Sequence, residues 1–180
     1  MDYRERIAQP SGIYLNLEQS TFATPIVQGG LFAFQPAPLP ALPSDLDGIK
    51  VLLAACELPY KDITPGHHEN FWVMRDGPRL AGVVGLEMFG ALGLLRSLAV
   101  PQEDRGRGIG SKLTDKAEEY ARAQGVKALY LLTTSAPDFF AKRGYQHADR
   151  AAAPAELQET AEFQSLCPED AVCMLKQLEG

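Results

Sequence analysis

The sequence predicts an α/β domain built on a mixed, mostly antiparallel sheet with one parallel β-α-β crossover and helices on both faces. Three observations lead there. The runs "FWVMR" and "RLAGVVGLEM" flank the turn residues Asp76, Gly77 and Pro78, the pattern of a hairpin. "GLLRSLAV" follows Phe89 and Gly90 as a third antiparallel partner. That strand, an amphipathic helix and the apolar run "ALYLLTT" then succeed one another, and strand-helix-strand in one sheet gives a right-handed parallel crossover.

Taken in order, residues 1–30 have weak patterning and fit an arm, an insert or a partly disordered segment, and "GGLFAFQ" reads as a first strand. "QPAPLPALP" spaces prolines so closely that it must be extended. The organisation expected is an N-terminal extension with the first strand over 1–43 and the main domain over 44–180. "SDLD" reads as a capping box, with Ser44 as N-cap and Asp47 at the third helical position. Leu46, Ile49, Leu52, Leu53 and Cys56 recur at helical spacing until Pro59. Thr64 and Pro65 open a short helix through His67 and His68. Later, Ile109, Leu113, Ala117, Tyr120, Ala121 and Gln124 share one helix face, which Gly125 ends. Glu118 and Arg122 are spaced as a supporting pair on the solvent side of that helix. "ALYLLTT" suits a strand covered on both faces. A short helix "PDFFAKR", the segment "GYQHA", a helical stretch from Pro154 to about Phe163 and a strand near "AVCMLKQL" complete the chain.

Composition narrows the function classes. With 180 residues, 46% hydrophobic and 22% charged, the chain fits one soluble globular domain that needs no disulfide or metal staple. A net charge of −6 argues against nucleic-acid or anionic-membrane partners, whose phosphates call for a basic surface. Cys56, Cys167 and Cys173 form no CxxC pair, and "MDYRERIAQ" lacks the apolar core of a signal peptide. The apolar region Leu80 to Val100 is broken by glycines, Glu87 and Arg96, which suits two strands better than a membrane helix. A cytoplasmic location is expected.

The chemistry concentrates in "EDRGRGIGSKL", between a strand and a helix. Such a loop presents backbone N–H groups and a positive helix end to an anion. A Walker loop fails because Ser111 separates Gly110 from Lys112, and a dinucleotide fingerprint fails because its third glycine would come one place later. The pattern [QR]-x-x-G-x-[GA] is matched by Arg105, Gly108 and Gly110, after a strand ending "LAV" and a proline.

In that pattern the chain resembles the GNAT superfamily of N-acetyltransferases, from Ser44 to Leu178. The resemblance implies acetyl-CoA as co-substrate and no metal. It implies that the backbone of Leu98, Ala99 and Val100 pairs with the pantetheine arm. The amides of Gly106, Arg107, Gly108, Ile109, Gly110 and Ser111 would wrap the pyrophosphate, with Arg105 or Arg107 adding charge. More narrowly, "LLTTSAPDFFAKRGY" is similar to the acetyltransferase domain of N-acetylglutamate synthases. "LLRSLAV", "LYLLTT", "RGY" and "DRAAAPA" are closer still to the acetyltransferases of arsenic-resistance operons. These likenesses imply a small-molecule amine substrate: the α-amine of a small amino acid, or of a glutamate mimic such as arsinothricin or phosphinothricin.

The chain departs from the superfamily at two positions. Phe140 stands where many members carry a tyrosine that protonates the leaving thiolate, and Leu94 where histone-type members carry a base glutamate. Backbone N–H groups near Leu98 remain to polarise the thioester carbonyl. Glu87 is the candidate base, acting through water, or else a solvent-facing carboxylate at a hairpin end. Arg96, two residues on from Leu94 and hence on the face of Leu94 and Leu98, either clamps an anionic substrate group, forms a buried ion pair with Glu87 or lies along the sheet edge. Thr133 and Thr134 end a strand that should line the site. His67, His68, Tyr60, Asp62 and His147 stay ambiguous, and Cys167 and Cys173 read as core or incidental. A non-catalytic acyl-CoA sensor and a peptide or protein N-acetyltransferase are the competing readings, and a homodimer is left open.

Overall fold

The computed structural model describes residues 37–178. Its strands are β1 (Leu39–Pro40), β2 (Phe71–Asp76), β3 (Arg79–Phe89), β4 (Leu92–Ala99), β5 (Ala128–Thr133), β6 (Gln146–His147) and β7 (Val172–Gln177). Its α-helices are α1 (Leu46–Ala55), α2 (Ile109–Ala123), α3 (Pro137–Ala141) and α4 (Ala155–Gln158). The strands form one sheet in the order β1-β2-β3-β4-β5-β7-β6. Pairing is antiparallel except between β4 and β5, the expected crossover. Gly77, at φ +61°, turns the β2–β3 hairpin where the sequence places it. The strand expected at "GGLFAFQ" lies outside the described residues.

Alternation along the strands sends side chains to two faces. Phe71, Val73 and Val83 meet Ile49, Leu52 and Leu53 of α1 on one side. Trp72, Met74, Val84 and Leu86 meet Leu113, Ala117 and Ala121 of α2 on the other. A smaller group, Leu94 and Cys173 with Leu157 and Phe163, lies under the α4 segment. Gly82 explains how closely α2 seats: a Cβ there would come within 2.7 Å of Ile109 and 2.8 Å of Leu113. Leu113 is fully buried, and truncating such a leucine costs about 2–5 kcal/mol.

Three local expectations are corrected. Ser44 does not cap α1, because Pro43 starts a 3-10 turn (Pro43–Asp45) ahead of the helix. Asp45 takes over there, accepting from the Leu42 amide at 2.8 Å and from Arg75 Nη2 at 2.5 Å. Glu118 is not on the solvent side but buried, and its Oε2 holds Lys176 Nζ of β7 at 2.7 Å as well as Arg122 at 3.4 Å. The helical stretch expected over 154–163 is broken: α4 stops at Gln158, and a π turn spans Glu162–Leu166. Its i→i+5 bond, Cys167 N–H to Glu162 O at 3.2 Å, stacks Cys167 over Glu162. No helix among the described residues is long and apolar enough to cross a membrane.

Candidate active site

The parallel ladder between β4 and β5 registers only from Leu92–Ala128 to Leu94–Tyr130. β4 continues to Ala99, while β5 runs to Thr133 paired with β7 on its far side. The two strands therefore part, and the edge of β4 beyond Leu94 can pair with an extended ligand as a further strand would. A cavity of about 1130 Å³ opens at this split.

β4 carries a bulge at the same place. Val83 pairs with Ala99 but Gly85 with Arg96, so three steps along β4 oppose two along β3. The extra residue is Ser97, held at φ +55°, a left-handed conformation costing an ordinary side chain about 1–2 kcal/mol. The bulge reverses the alternation after Arg96. Leu98 packs with the α2-side core and Ala99 with the α1-side core. Arg96, instead, meets Glu162 from the π turn, on the side of Leu94. The expectation that Arg96 and Leu98 share a face is thus corrected, because it assumed an unbroken strand.

The glycine loop joins β4 to α2. Gly106 and Gly108 stand at φ +79° and +78°, and Gly108 is the N-cap of α2. A Cβ on either would meet nothing within 4 Å, so backbone conformation selects glycine here and the space over the loop stays open. The first amide of α2 bonded back to Gly108 is that of Lys112, at 3.1 Å, which leaves the N–H groups of Ile109, Gly110 and Ser111 as first-turn donors. Several donors converging on open space at a helix N-terminus fit a pyrophosphate.

The two loop arginines differ in role. Arg105 lines the cavity and its Nε donates to Val100 O at 3.2 Å. Arg107 is outside the lining; its Nη1 donates to Asp104 Oδ1 at 2.5 Å, and Arg79 Nη1 reaches Asp104 Oδ2 at 2.5 Å. The Arg79 hydrogen bond outweighs burial and, with Arg107, holds the Asp104 carboxyl below the usual carboxylate range. Asp104 thus ties the loop to the start of β3.

On β4 beside the split, Arg96 is 5% exposed. Its Nη1 donates to Glu87 Oε1 at 2.5 Å, and its Nη2 forms ion pairs with Asp62 Oδ2 at 2.6 Å and Glu162 Oε1 at 2.9 Å. The Nη2 pairs lack hydrogen-bond angles, and Asp62 Oδ1 is buried without a hydrogen-bond partner among the described residues. Burial alone would lower the guanidinium pKa; Glu162, Glu87 and Asp62 outweigh it and hold it above its ordinary value. Glu162 Oε2 accepts from Cys167 Sγ at 2.9 Å. Burial, reinforced by Glu162, pushes the Cys167 thiol up to about 12, so it donates at neutral pH.

The β5 end closes the cavity. Thr133 and Thr134 line it, with Thr133 Oγ1 accepting from the Ala136 amide at 3.1 Å to start α3. Phe140 is buried on the wall between Phe139 and Tyr145, with ring centroids at 5.0 and 5.5 Å. Tyr145 lies behind it, outside the lining; burial and then Glu118 push its phenol far above the usual range. His67 and His68 are not on the wall.

Of the residues singled out in the sequence, the cavity gathers Arg96, Leu98 and Ala99 from β4, Val100 just beyond it, and Arg105, Gly106, Gly108, Ile109, Gly110 and Ser111 from the loop and α2. It also gathers Thr133, Thr134 and Phe140, but neither Arg107 nor Glu87, which pairs with Arg96 from outside the lining. Sequence reasoning missed Glu162, left Asp62 open and read Cys167 as core or incidental. Glu162 is one of three glutamates, with Glu156 and Glu159, in a polar stretch, and nothing in the local pattern sets it apart.

The family model described as the acetyltransferase (GNAT) family matches residues 45–148. An amino-acid acetyltransferase of Pseudomonas aeruginosa is 39% identical over 72 residues, 40% of this chain and 17% of that protein. An uncharacterized N-acetyltransferase of Chlorobaculum tepidum is 29% identical over 117 residues, 62% of this chain and 73% of that one. The chain thus spans about a sixth of the amino-acid acetyltransferases it matches. Among solved structures, a Mycobacterium tuberculosis protein in complex with CoA and NLQ superposes with a TM-score of 0.69 at 23% identity, over 80% of this chain and 100% of that one. N-acetylglutamate synthase from Neisseria gonorrhoeae, complexed with coenzyme A and N-acetyl-glutamate, gives 0.71 at 22% identity, over 80% and 35%. These two likenesses are at the level of the fold.

Proposed function

The chain belongs to the acetyltransferase (GNAT) family, and on that premise we propose that it transfers an acetyl group from acetyl-CoA to the α-amine of a small amino acid or a glutamate mimic. The observation that carries the reading is the parting of β4 and β5 over one cavity that also takes in the glycine loop. Local likeness to amino-acid acetyltransferases supports the acceptor class. Arsinothricin and phosphinothricin are the mimics of interest, and a reducing cytoplasm agrees with three free cysteines.

The pantetheine arm lies along Leu98–Val100, and the amides of Gly106–Ser111 hold the pyrophosphate, with Arg105 adding charge. Acetyl-CoA supplies the activated acyl group. The Leu98 N–H polarises the thioester carbonyl, and such a donor contributes about 2.7–4 kcal/mol in other enzymes. The acceptor's ammonium proton passes into the carboxylate cluster around Arg96, to which Glu87 belongs. Arg96, paired with three carboxylates, holds that cluster in place rather than clamping a substrate anion. Phe140 offers no proton, so the departing thiolate is protonated through water. Mass spectrometry of products, after incubation with acetyl-CoA and glutamate, methionine sulfone, phosphinothricin or arsinothricin, tests the acceptor class. An N-acetylated amino acid is expected; acetylation confined to peptides or non-amino-acid amines refutes it.

A further inference from the structure

We infer that Glu162 is the catalytic base, the member of the carboxylate cluster that receives the acceptor's proton directly or through one water. This rests on the N-acetyltransfer reading and deepens it. Three carboxylates surround Arg96, and of the three the cavity lining takes in Glu162 but neither Glu87 nor Asp62. Glu162 comes from the π turn, whose i→i+5 bond brings Cys167 back over it. Both carboxylate oxygens are thereby fixed: Oε1 by Arg96 Nη2 at 2.9 Å and Oε2 by Cys167 Sγ at 2.9 Å. Each oxygen keeps a lone pair for a further donor. Arg96 is a positioning residue in this scheme: alternation from Leu94 sends its side chain to the side of the π turn, and the bulge at Ser97, one residue on, sends Leu98 to the opposite face.

The step balances as follows. The substrate ammonium loses one N–H proton to a Glu162 oxygen, which becomes a carboxylic acid and later releases the proton to solvent. The freed nitrogen lone pair forms the C–N bond at the thioester carbonyl carbon, and the C–S bond breaks with its electrons on sulfur. The second N–H proton passes through water to the CoA thiolate, giving amide and free thiol. The charged and titratable groups around Glu162 are Arg96 of β4 and Cys167, which touch it, and Glu87 of β3 and Asp62 of the α1–β2 connection, which share Arg96 with it. Arg150 acts on the same turn through the Phe163 and Cys167 carbonyls.

Glu162→Gln and Glu162→Asp, assayed for kcat/KM of the amino acid between pH 6 and 10, test the assignment. Gln keeps the size and one accepting oxygen but cannot take a proton, and its NH2 cannot accept from the second donor of the Arg96–Cys167 pair; Asp can take a proton but is shorter. The expected result is a loss of about 10²–10⁴-fold in Gln near neutral pH, shrinking as solution amine becomes neutral at high pH, with Asp the more active variant. Acetyl-CoA affinity, read by calorimetry, should stay within a few-fold of wild type. A loss equal at every pH, or Gln more active than Asp, overturns the proposal while leaving acetyl transfer intact. Failure of the wild-type protein to acetylate any amine overturns the functional reading instead. If Glu162→Gln does not fold, the Asp variant decides alone: a pH profile parallel to wild type supports the proposal, and an activity loss with no acceptor dependence on pH opposes it.

Discussion

Replacing Arg96 with methionine keeps much of the side-chain volume and removes the one guanidinium that three carboxylates share. Asp62, Glu87 and Glu162 would then face one another around a buried site without their cation. Breaking a buried pair by removing one partner costs about 3–5 kcal/mol, and at ~2–4 °C per kcal/mol for a domain of this size the melting temperature should fall by roughly 6–20 °C. The deficit depends on pH with a definite sign. Wild-type Arg96 has a raised pKa and stays charged throughout, so its contribution does not change between pH 5 and 8. In the variant, protonating a carboxylate relieves the repulsion, so the deficit should shrink as pH falls. Arg96→Lys keeps the charge without the planar fork and should fall between. Thermal unfolding at pH 8, 7 and 5 reads all three proteins. A methionine variant melting within about 2 °C of wild type at every pH would refute the reasoning, and with a selective rise in KM for anionic acceptors it would return Arg96 to substrate binding.

Gly108→Val should weaken acetyl-CoA by at least about tenfold, because φ +78° disfavours a side chain and a side chain there would occupy the open space above the loop that the pyrophosphate is proposed to fill; the strain should cost only about 1–2 kcal/mol of stability. Calorimetric titration of the folded variant checks this, and unchanged affinity would contradict it. Asp104→Asn should loosen the loop and weaken acetyl-CoA binding. Since the Asp104 pKa is lowered on folding, its stabilisation is present above the ordinary carboxylate pKa and lost as pH falls through the folded value. Wild type and variant should therefore differ in unfolding free energy at pH 7 and converge in acid. Tyr145→Phe should leave turnover within about tenfold of wild type, since Tyr145 lies outside the cavity lining and an essential general acid would cost about 10²–10⁴-fold. Steady-state kinetics decides.

Much of this fold is readable where the signal is local. The Asp76–Pro78 turn, the stripe of Leu113, Ala117 and Ala121, and the glycines of the loop each declare themselves within a few residues, and the structure places all of them as expected. The acceptor end is different in kind. Ser97 bulges without glycine to announce it, so strict alternation misplaces Leu98. Arg96 does pair with Glu87 of the neighbouring strand, the ion pair the sequence offered as one alternative, but its other partners, Asp62 and Glu162, come from distant segments that no periodicity links to it. Glu118 looks like a solvent-side helix residue until β7 brings Lys176 against it. Pairing across such separations is set by tertiary packing, which local sequence pattern does not encode.

The central claim is that this cavity catalyses acetyl transfer and does more than bind acyl-CoA. Release of free CoA thiol, followed continuously with acetyl-CoA and a panel of small amino acids, tests it most directly. Amine-dependent thiol release that saturates with a small amino acid is the predicted result. Tight acetyl-CoA binding with no thiol released for any amine would contradict it and make the protein an acyl-CoA sensor.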